Sequence, residues 1–210
     1  MKVKICGNTN IRDAKLALDY GADYLGLIFA ESKRKISLET ALAIRAELPA
    51  FENFVGVFCN QPKDEVESIA NALKLTYLQF HGDETALYCQ YFTDKGFKVI
   101  KTFHVRDAMS LKRIEEYYTE YFLLDTYHAQ ERGGTGVSFD WGLLEQGHLL
   151  HEKLFLAGGL NGGNIAQAIQ KVRPYAVDVA SGVESSPGQK SPELLENFIR
   201  LAKSVPHHAS

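Results

Sequence analysis

Acid–base catalysis needs one group that holds a proton and another that takes one, both within reach of a ligand. Cys6 and Asp125 have suitable types and suitable places. Cys6 closes the short apolar run Val3-Lys4-Ile5, and Asp125 closes Tyr121-Phe122-Leu123-Leu124. Each also has a plainer use. A cysteine at a strand end commonly packs as a small hydrophobe, and an aspartate there can cap its loop through Thr126 or pair with a lysine. Anion binding needs N–H donors, and two further runs end in small residues, Gly158-Gly159 and Ser181-Gly182. Glycine lets backbone amides approach a phosphate closely, and Ser181 adds a hydroxyl. One glycine pair is what a tight turn requires; two such loops favour a phosphate site.

These groups converge only if the runs that carry them are neighbouring strands. Strand-like runs occupy residues 3–6, 24–29, 54–58, 76–80, 97–102, 121–124, 154–157 and 176–180. Most are β-branched or aromatic and too short for buried helices, and they lack clean polar alternation, as strands covered on both faces do. Amphipathic helical patterns fill the intervals at 10–20, 38–48, 62–73, 84–92, 105–117, 141–149, 161–172 and 192–202, with Pro62 and Pro192 in first turns. Eight alternations predict a parallel (β/α)8 TIM barrel. An open doubly wound sheet usually has fewer units and a glycine fingerprint after its first strand, where this chain has only Cys6-Gly7-Asn8. The barrel is expected over residues 1–205, with 206–210 as a frayed tail. Its active site belongs at the C-terminal strand ends, which here carry Cys6, Arg34, Cys59, His81, Lys101, Asp125 and the two glycine loops.

The composition restricts the function. With 210 residues and a net charge of −3, the chain suits one domain and gives no support for nucleic-acid or anionic-membrane partners. Three widely spaced cysteines, Cys6, Cys59 and Cys89, form neither a disulfide framework nor a zinc pair. No apolar stretch approaches the roughly 20 residues of a membrane span. The opening MKVKICGN lacks the apolar core of a secretion signal. A soluble, cytoplasmic protein is expected, a monomer by default with a homodimer as alternative. Cys89, within a helical pattern, reads as core.

The motifs resemble those of phosphoribosylanthranilate isomerases along nearly the whole chain. They include Lys4-Ile5-Cys6-Gly7, Gly21-Ala22-Asp23 with Gly26 and Phe29, Ser32-Lys33-Arg34 with Ile36-Ser37, and Val55-Gly56-Val57-Phe58. Further on come Gln79-Phe80-His81-Gly82-Asp83-Glu84, Leu123-Leu124-Asp125-Thr126, Gly133-Gly134-Thr135-Gly136, Phe139-Asp140-Trp141, Ala157-Gly158-Gly159-Leu160-Asn161 and Val177-Asp178-Val179-Ala180-Ser181-Gly182-Val183-Glu184, then Pro187-Gly188-Gln189-Lys190. Cys59, Ala180 and Ser191 depart from the family's usual residues, and Ala180 removes a hydroxyl beside the phosphate loop.

The resemblance implies an Amadori rearrangement of N-(5-phosphoribosyl)anthranilate in tryptophan biosynthesis. It implies Asp125 as general acid, Cys6 as general base, and no metal or organic cofactor. Arg34 suits the anthranilate carboxylate, because its planar fork bonds two oxygens; a solvated basic loop with Lys33 and Lys35 is its plainer role. His81 is expected to line the site and Asp178 to support the mouth of strand eight. Residues 127–138 would either close over substrate or form an ordinary loop. Two rivals remain: a phosphosugar isomerase of histidine biosynthesis, which is expected to have an aspartate at the place of Cys6, and a non-catalytic phosphometabolite-binding barrel, which needs neither Cys6 nor Asp125.

Overall fold

Eight parallel strands pair in chain order and close on themselves in a computed structural model that describes residues 1–105, 112–126 and 148–206. The strands are β1 (Lys2–Ile5), β2 (Tyr24–Ile28), β3 (Phe54–Phe58), β4 (Tyr77–Phe80), β5 (Lys98–Val105), β6 (Tyr121–Thr126), β7 (Leu154–Leu156) and β8 (Ala176–Val179). β8 returns to pair with β1, placing Lys4 opposite Asp178 and Ile5 opposite Val179. The described helices are α1 (Ile11–Asp19), α2 (Leu38–Glu47), α3 (Lys63–Ala72), α4 (Ala86–Asp94), α5 (Ile165–Val172) and α6 (Pro192–Ser204). Their starts follow local chemistry. The side chains of Asn10, Ser37, Thr85 and Ser191 each accept a hydrogen bond from the backbone N–H three residues on.

The predicted (β/α)8 barrel is present, with local differences. β5 runs through Val105, past the expected strand end at 102 and onto the residue where the sequence pattern predicts a helix to start. Apolar spacing over so short a stretch does not separate a strand end from a helix start. Within the expected helix 105–117, residues 106–111 lie outside the described ones and Arg113–Glu116 forms a 3-10 turn. Of the expected helix 141–149, residues 141–147 likewise lie outside, and His148–Lys153 is a 3-10 helix. A two-stranded antiparallel ribbon, β9 (Glu184–Ser186) with β10 (Gln189–Lys190), follows β8; its strands are too short to show as apolar runs.

Alternation hidden in the sequence becomes an inside and an outside. Tyr24, Val55, Tyr77, Ile100, Tyr121 and Phe155 pack together in the barrel interior. Their strand neighbours Leu25, Phe54, Leu78, Val99, Phe122 and Leu154 belong to the second core, shared with helix residues such as Ala14, Ile44 and Phe198. Side chains two residues apart share a face. Counting by twos, Tyr77 leads to Gln79 and His81, Ile100 to Thr102 and His104, and Tyr121 to Leu123 and Asp125. Each polar group therefore lies on the interior side, at the C-terminal end.

Phe155 is fully buried, with ring centroids 5.4 Å from both Tyr24 and Tyr121 and 5.7 Å from Tyr175. Truncating a buried phenylalanine costs about 3–5 kcal/mol. Phe155→Ala is expected to lower the urea midpoint accordingly while the folded protein keeps its activity, since Phe155 does not line the cavity described below. Activity lost without a loss of stability would contradict this separation.

Candidate active site

A cavity of about 740 Å³ opens at the C-terminal ends of the strands. Cys6, Arg34, His81, Asp125 and Asp178 all line it, so the structure brings together five of the residues singled out from sequence. Gln79, Cys59 and Ala180 join them. Gly158, Gly159, Ser181 and Gly182 lie at the ends of β7 and β8 but do not line this cavity. Residues 127–138 lie outside the described ones. Cys89 is buried in the core, as expected from its helical pattern.

Cys6 sits just past β1, 6% exposed, with its backbone N–H donating to the Val179 carbonyl. Its thiol has room because Gly26 faces it: a Cβ there would lie 2.7 Å from the Cys6 sulfur. Two inward positions meet below it. The Lys4 ammonium, wholly buried, donates to Asp178 Oδ1 at 2.8 Å and also engages the Cys6 thiol. Burial pushes the Lys4 ammonium down, yet Asp178 and Cys6 together outweigh it and hold it above its ordinary value. Burial pushes the Cys6 thiol up; Lys4 pulls it back, Asp178 opposes that, Lys190 assists, and the net is above the usual thiol range. Lys4 thus offsets part of what burial takes from the thiolate.

A second network anchors the side of the cavity. Glu184 receives Arg34 Nε at 2.8 and 3.0 Å, Arg34 Nη2 at 2.7 Å and Lys190 Nζ at 2.9 Å. Lys190 Nζ also donates to the Cys6 carbonyl at 2.6 Å. Burial pushes the Glu184 carboxyl up, but the two cations reverse the shift and hold it below its ordinary value. Its hydrogen bonds hold the Arg34 guanidinium above its own. For Lys190, burial wins and the ammonium is pushed down. Arg34 is therefore a fixed group, and its plainer reading as a solvated loop residue does not describe this structure.

Asp125, next to last in β6, is 7% exposed, with its Oδ2 3.6 Å from His81 Nε2. Behind His81, the buried Gln79 amide nitrogen lies 3.1 Å from Nδ1 and 3.3 Å from the Thr102 hydroxyl. The loops after β7 and β8 touch through bare backbone: a Cβ on Gly182 would fall 1.9 Å from the Leu160 carbonyl oxygen. Gly158 and Gly159 hold φ of 89° and 65°, and the side-chain amides of Asn161 and Asn164 donate to the Gly159 carbonyl at 3.1 and 3.0 Å. Gly182 is thus required by loop packing whatever the loops bind.

Sequence reasoning missed Lys4, Gln79, Glu184 and Lys190 as site residues. Lys4 and Gln79 carried a usable signal, since each lies two residues before a residue already singled out, Cys6 and His81. Glu184 and Lys190 act from the ribbon after β8, which no pattern foretold.

The chain matches the family model described as PRAI, N-(5'phosphoribosyl)anthranilate (PRA) isomerase, over residues 3–201. A curated protein of that name from Pelobacter propionicus is 44% identical over 208 residues, covering 98% of this chain and 97% of that one. The crystal structure of phosphoribosyl anthranilate isomerase from Thermotoga maritima superposes with a TM-score of 0.87 at 38% identity, covering 97% of this chain and 98% of that one. A second crystal structure, of a phosphoribosyl anthranilate isomerase in complex with reduced 1-(o-carboxyphenylamino)-1-deoxyribulose 5-phosphate, superposes at 0.83 with the same identity and coverage.

The Lys4 charge is open to a direct test. Lys4→Met removes the ammonium while Asp178 stays beside the thiol. An opposite charge within about 4–6 Å is worth 1–3 pKa units, so kcat/KM at pH 7 should fall about tenfold or more and recover partly toward pH 9. A pH profile lowered evenly at every pH would show that Lys4 matters only structurally.

Proposed function

Because the chain belongs to the N-(5'-phosphoribosyl)anthranilate isomerase family, we propose that Cys6 and Asp125 carry the isomerisation as base and acid across the barrel mouth. The protein is an isomerase of tryptophan biosynthesis. The observation that carries the proposal is the convergence of these two side chains, from β1 and β6, on one cavity that also holds Arg34. A relative holding a phosphorylated, carboxyphenyl-bearing ligand supports the substrate assignment.

The Asp125 carboxyl gives its proton to the ribose ring oxygen. The C1–O bond breaks toward that oxygen, and the anthranilate nitrogen lone pair closes C1=N. The Cys6 thiolate then removes the C2 proton. The C–H pair becomes C1=C2 and the C1=N pair returns to nitrogen, giving an enolamine. A proton added at C1 and one lost from the C2 hydroxyl complete the 1-amino-1-deoxyketose. The substrate's own nitrogen is the electron sink, so these steps need only acid and base from the protein.

Arg34 binds the anthranilate carboxylate in this reading. Glu184 engages Nε and Nη2, which leaves the Nη1 donors for the ligand and fixes the fork before it arrives. The β7 and β8 loops, with Gly158, Gly159, Ser181 and Gly182, hold the phosphate through backbone N–H groups. His81 orients Asp125, and Asp178 holds Lys4 under the thiol.

Arg34→Ala is expected to lower kcat/KM much more for the true substrate than for an analogue without the carboxylate; equal losses would place Arg34 elsewhere. Cys6→Ser and Asp125→Asn should stay folded by circular dichroism and lose about 10²–10⁴ in kcat/KM, the span of one proton-transfer group. Cys59→Ala and Cys89→Ala should remain near wild type. Because burial raises the Cys6 thiol, the basic form is a minority at neutrality and grows with pH, so wild-type kcat/KM should rise between pH 7 and pH 9. Normal turnover in folded Cys6→Ser or Asp125→Asn would overturn the mechanism.

A further inference from the structure

His104 has no part in the mechanism above and does not line the cavity, yet it stands directly opposite Asp125 in the β5–β6 register. His81 reaches the same place from the end of β4. The two imidazoles meet edge to face, with ring centroids 5.2 Å apart. One ligand atom from each of His81, His104 and Asp125 lies within 4.8 Å of the other two. We infer that these three side chains form a binding site for a divalent first-row transition metal, zinc above all, and that its occupation inhibits the enzyme.

The donor chemistry is the first support. Two neutral imidazoles and a carboxylate suit zinc, with a fourth position left to water. The spacing is the second. Two ligands each about 2.0–2.1 Å from one tetrahedral zinc stand about 3.4 Å apart, close to the 3.6 Å between His81 Nε2 and Asp125 Oδ2. The His104 ligand atom lies within 4.8 Å of both. The third support is the group behind His81. A metal-bound imidazole usually donates its other N–H to an oxygen. The Gln79 amide, next to Nδ1, supplies that acceptor by turning over. Its Oε1 is buried without a partner as it stands, so no bond of that oxygen holds it back. After turning, Oε1 accepts from Nδ1–H and from the Thr102 hydroxyl, the same two contacts the nitrogen now makes. Inhibition rests on the proposed acid role: an Asp125 carboxylate bound to zinc cannot carry a proton to the ring oxygen.

The test uses the full-length protein and its His104→Gln variant, both first stripped with a chelator. His104→Gln should keep kcat/KM near wild type when metal-free. It should bind zinc at least about 100-fold more weakly by calorimetry, since losing even an outer partner of a metal ligand costs about 10- to 100-fold. Inhibition of turnover by added zinc should weaken by the same factor and be reversed by chelator. Cobalt should give the spectrum of nitrogen and oxygen ligands. A thiolate-to-cobalt band would move the metal to Cys6 or Cys59 and overturn the site, as would undiminished affinity in His104→Gln or the absence of one-to-one binding in wild type. Binding lost in the variant, but without inhibition in wild type, would overturn the inhibitory role. The acid assignment itself is judged separately, by Asp125→Asn under chelation.

Discussion

Lys4 and Asp178 face each other across the seam where the first and last barrel strands meet, 2.8 Å apart and largely out of water. Neither charge is tolerable there alone: breaking a buried pair by removing one partner costs about 3–5 kcal/mol. The pair therefore places the site as well as joining the seam. One inward position above Lys4 is Cys6, and one above Asp178 is Ala180; both line the cavity. A thiol buried among apolar groups alone would be inert. Here it lies beside an ammonium that a carboxylate holds in position.

The same rule, that a buried charge must be paired, governs the rest of the rim. Glu184 accepts from Arg34 and Lys190 at once, and Lys190 reaches back to the Cys6 carbonyl. The ribbon after β8 is thereby tied to the loop after β2 and to the end of β1. On the outer face Lys101 pairs with Glu84 at 3.0 Å and donates to the Gly82 carbonyl at 2.7 Å, securing the turn that follows His81. The interior below is aromatic and apolar. Stability and chemistry occupy opposite ends of the barrel, as in other barrels of this kind.

Much of this was legible in the sequence. Eight short apolar runs with amphipathic intervals point to a closed parallel barrel, and the residue at or just past the end of each run points to its mouth; Cys6, His81 and Asp125 follow from that alone. The hidden part has physical reasons. Strands covered on both faces blur the inside–outside alternation, so Lys4 read as part of a run and its burial did not show. His104 fell at a strand end that looks like a helix start. Gly182 reads as a ligand loop, while the Leu160 carbonyl against it demands a glycine for packing. Glu184 and Lys190 gain their meaning from partners 150 and 184 positions away, Arg34 and the Cys6 carbonyl, a distance no local pattern spans.

In the proposed mechanism Cys6 works as a thiolate held within reach by its buried cationic neighbours. The decisive measurement is the rate of Cys6 alkylation against pH, resolved from Cys59 and Cys89 by peptide mass spectrometry, beside kcat/KM over the same range. The two curves are expected to rise together with one apparent pKa. A kcat/KM that stays flat through the range in which Cys6 ionises would contradict the mechanism.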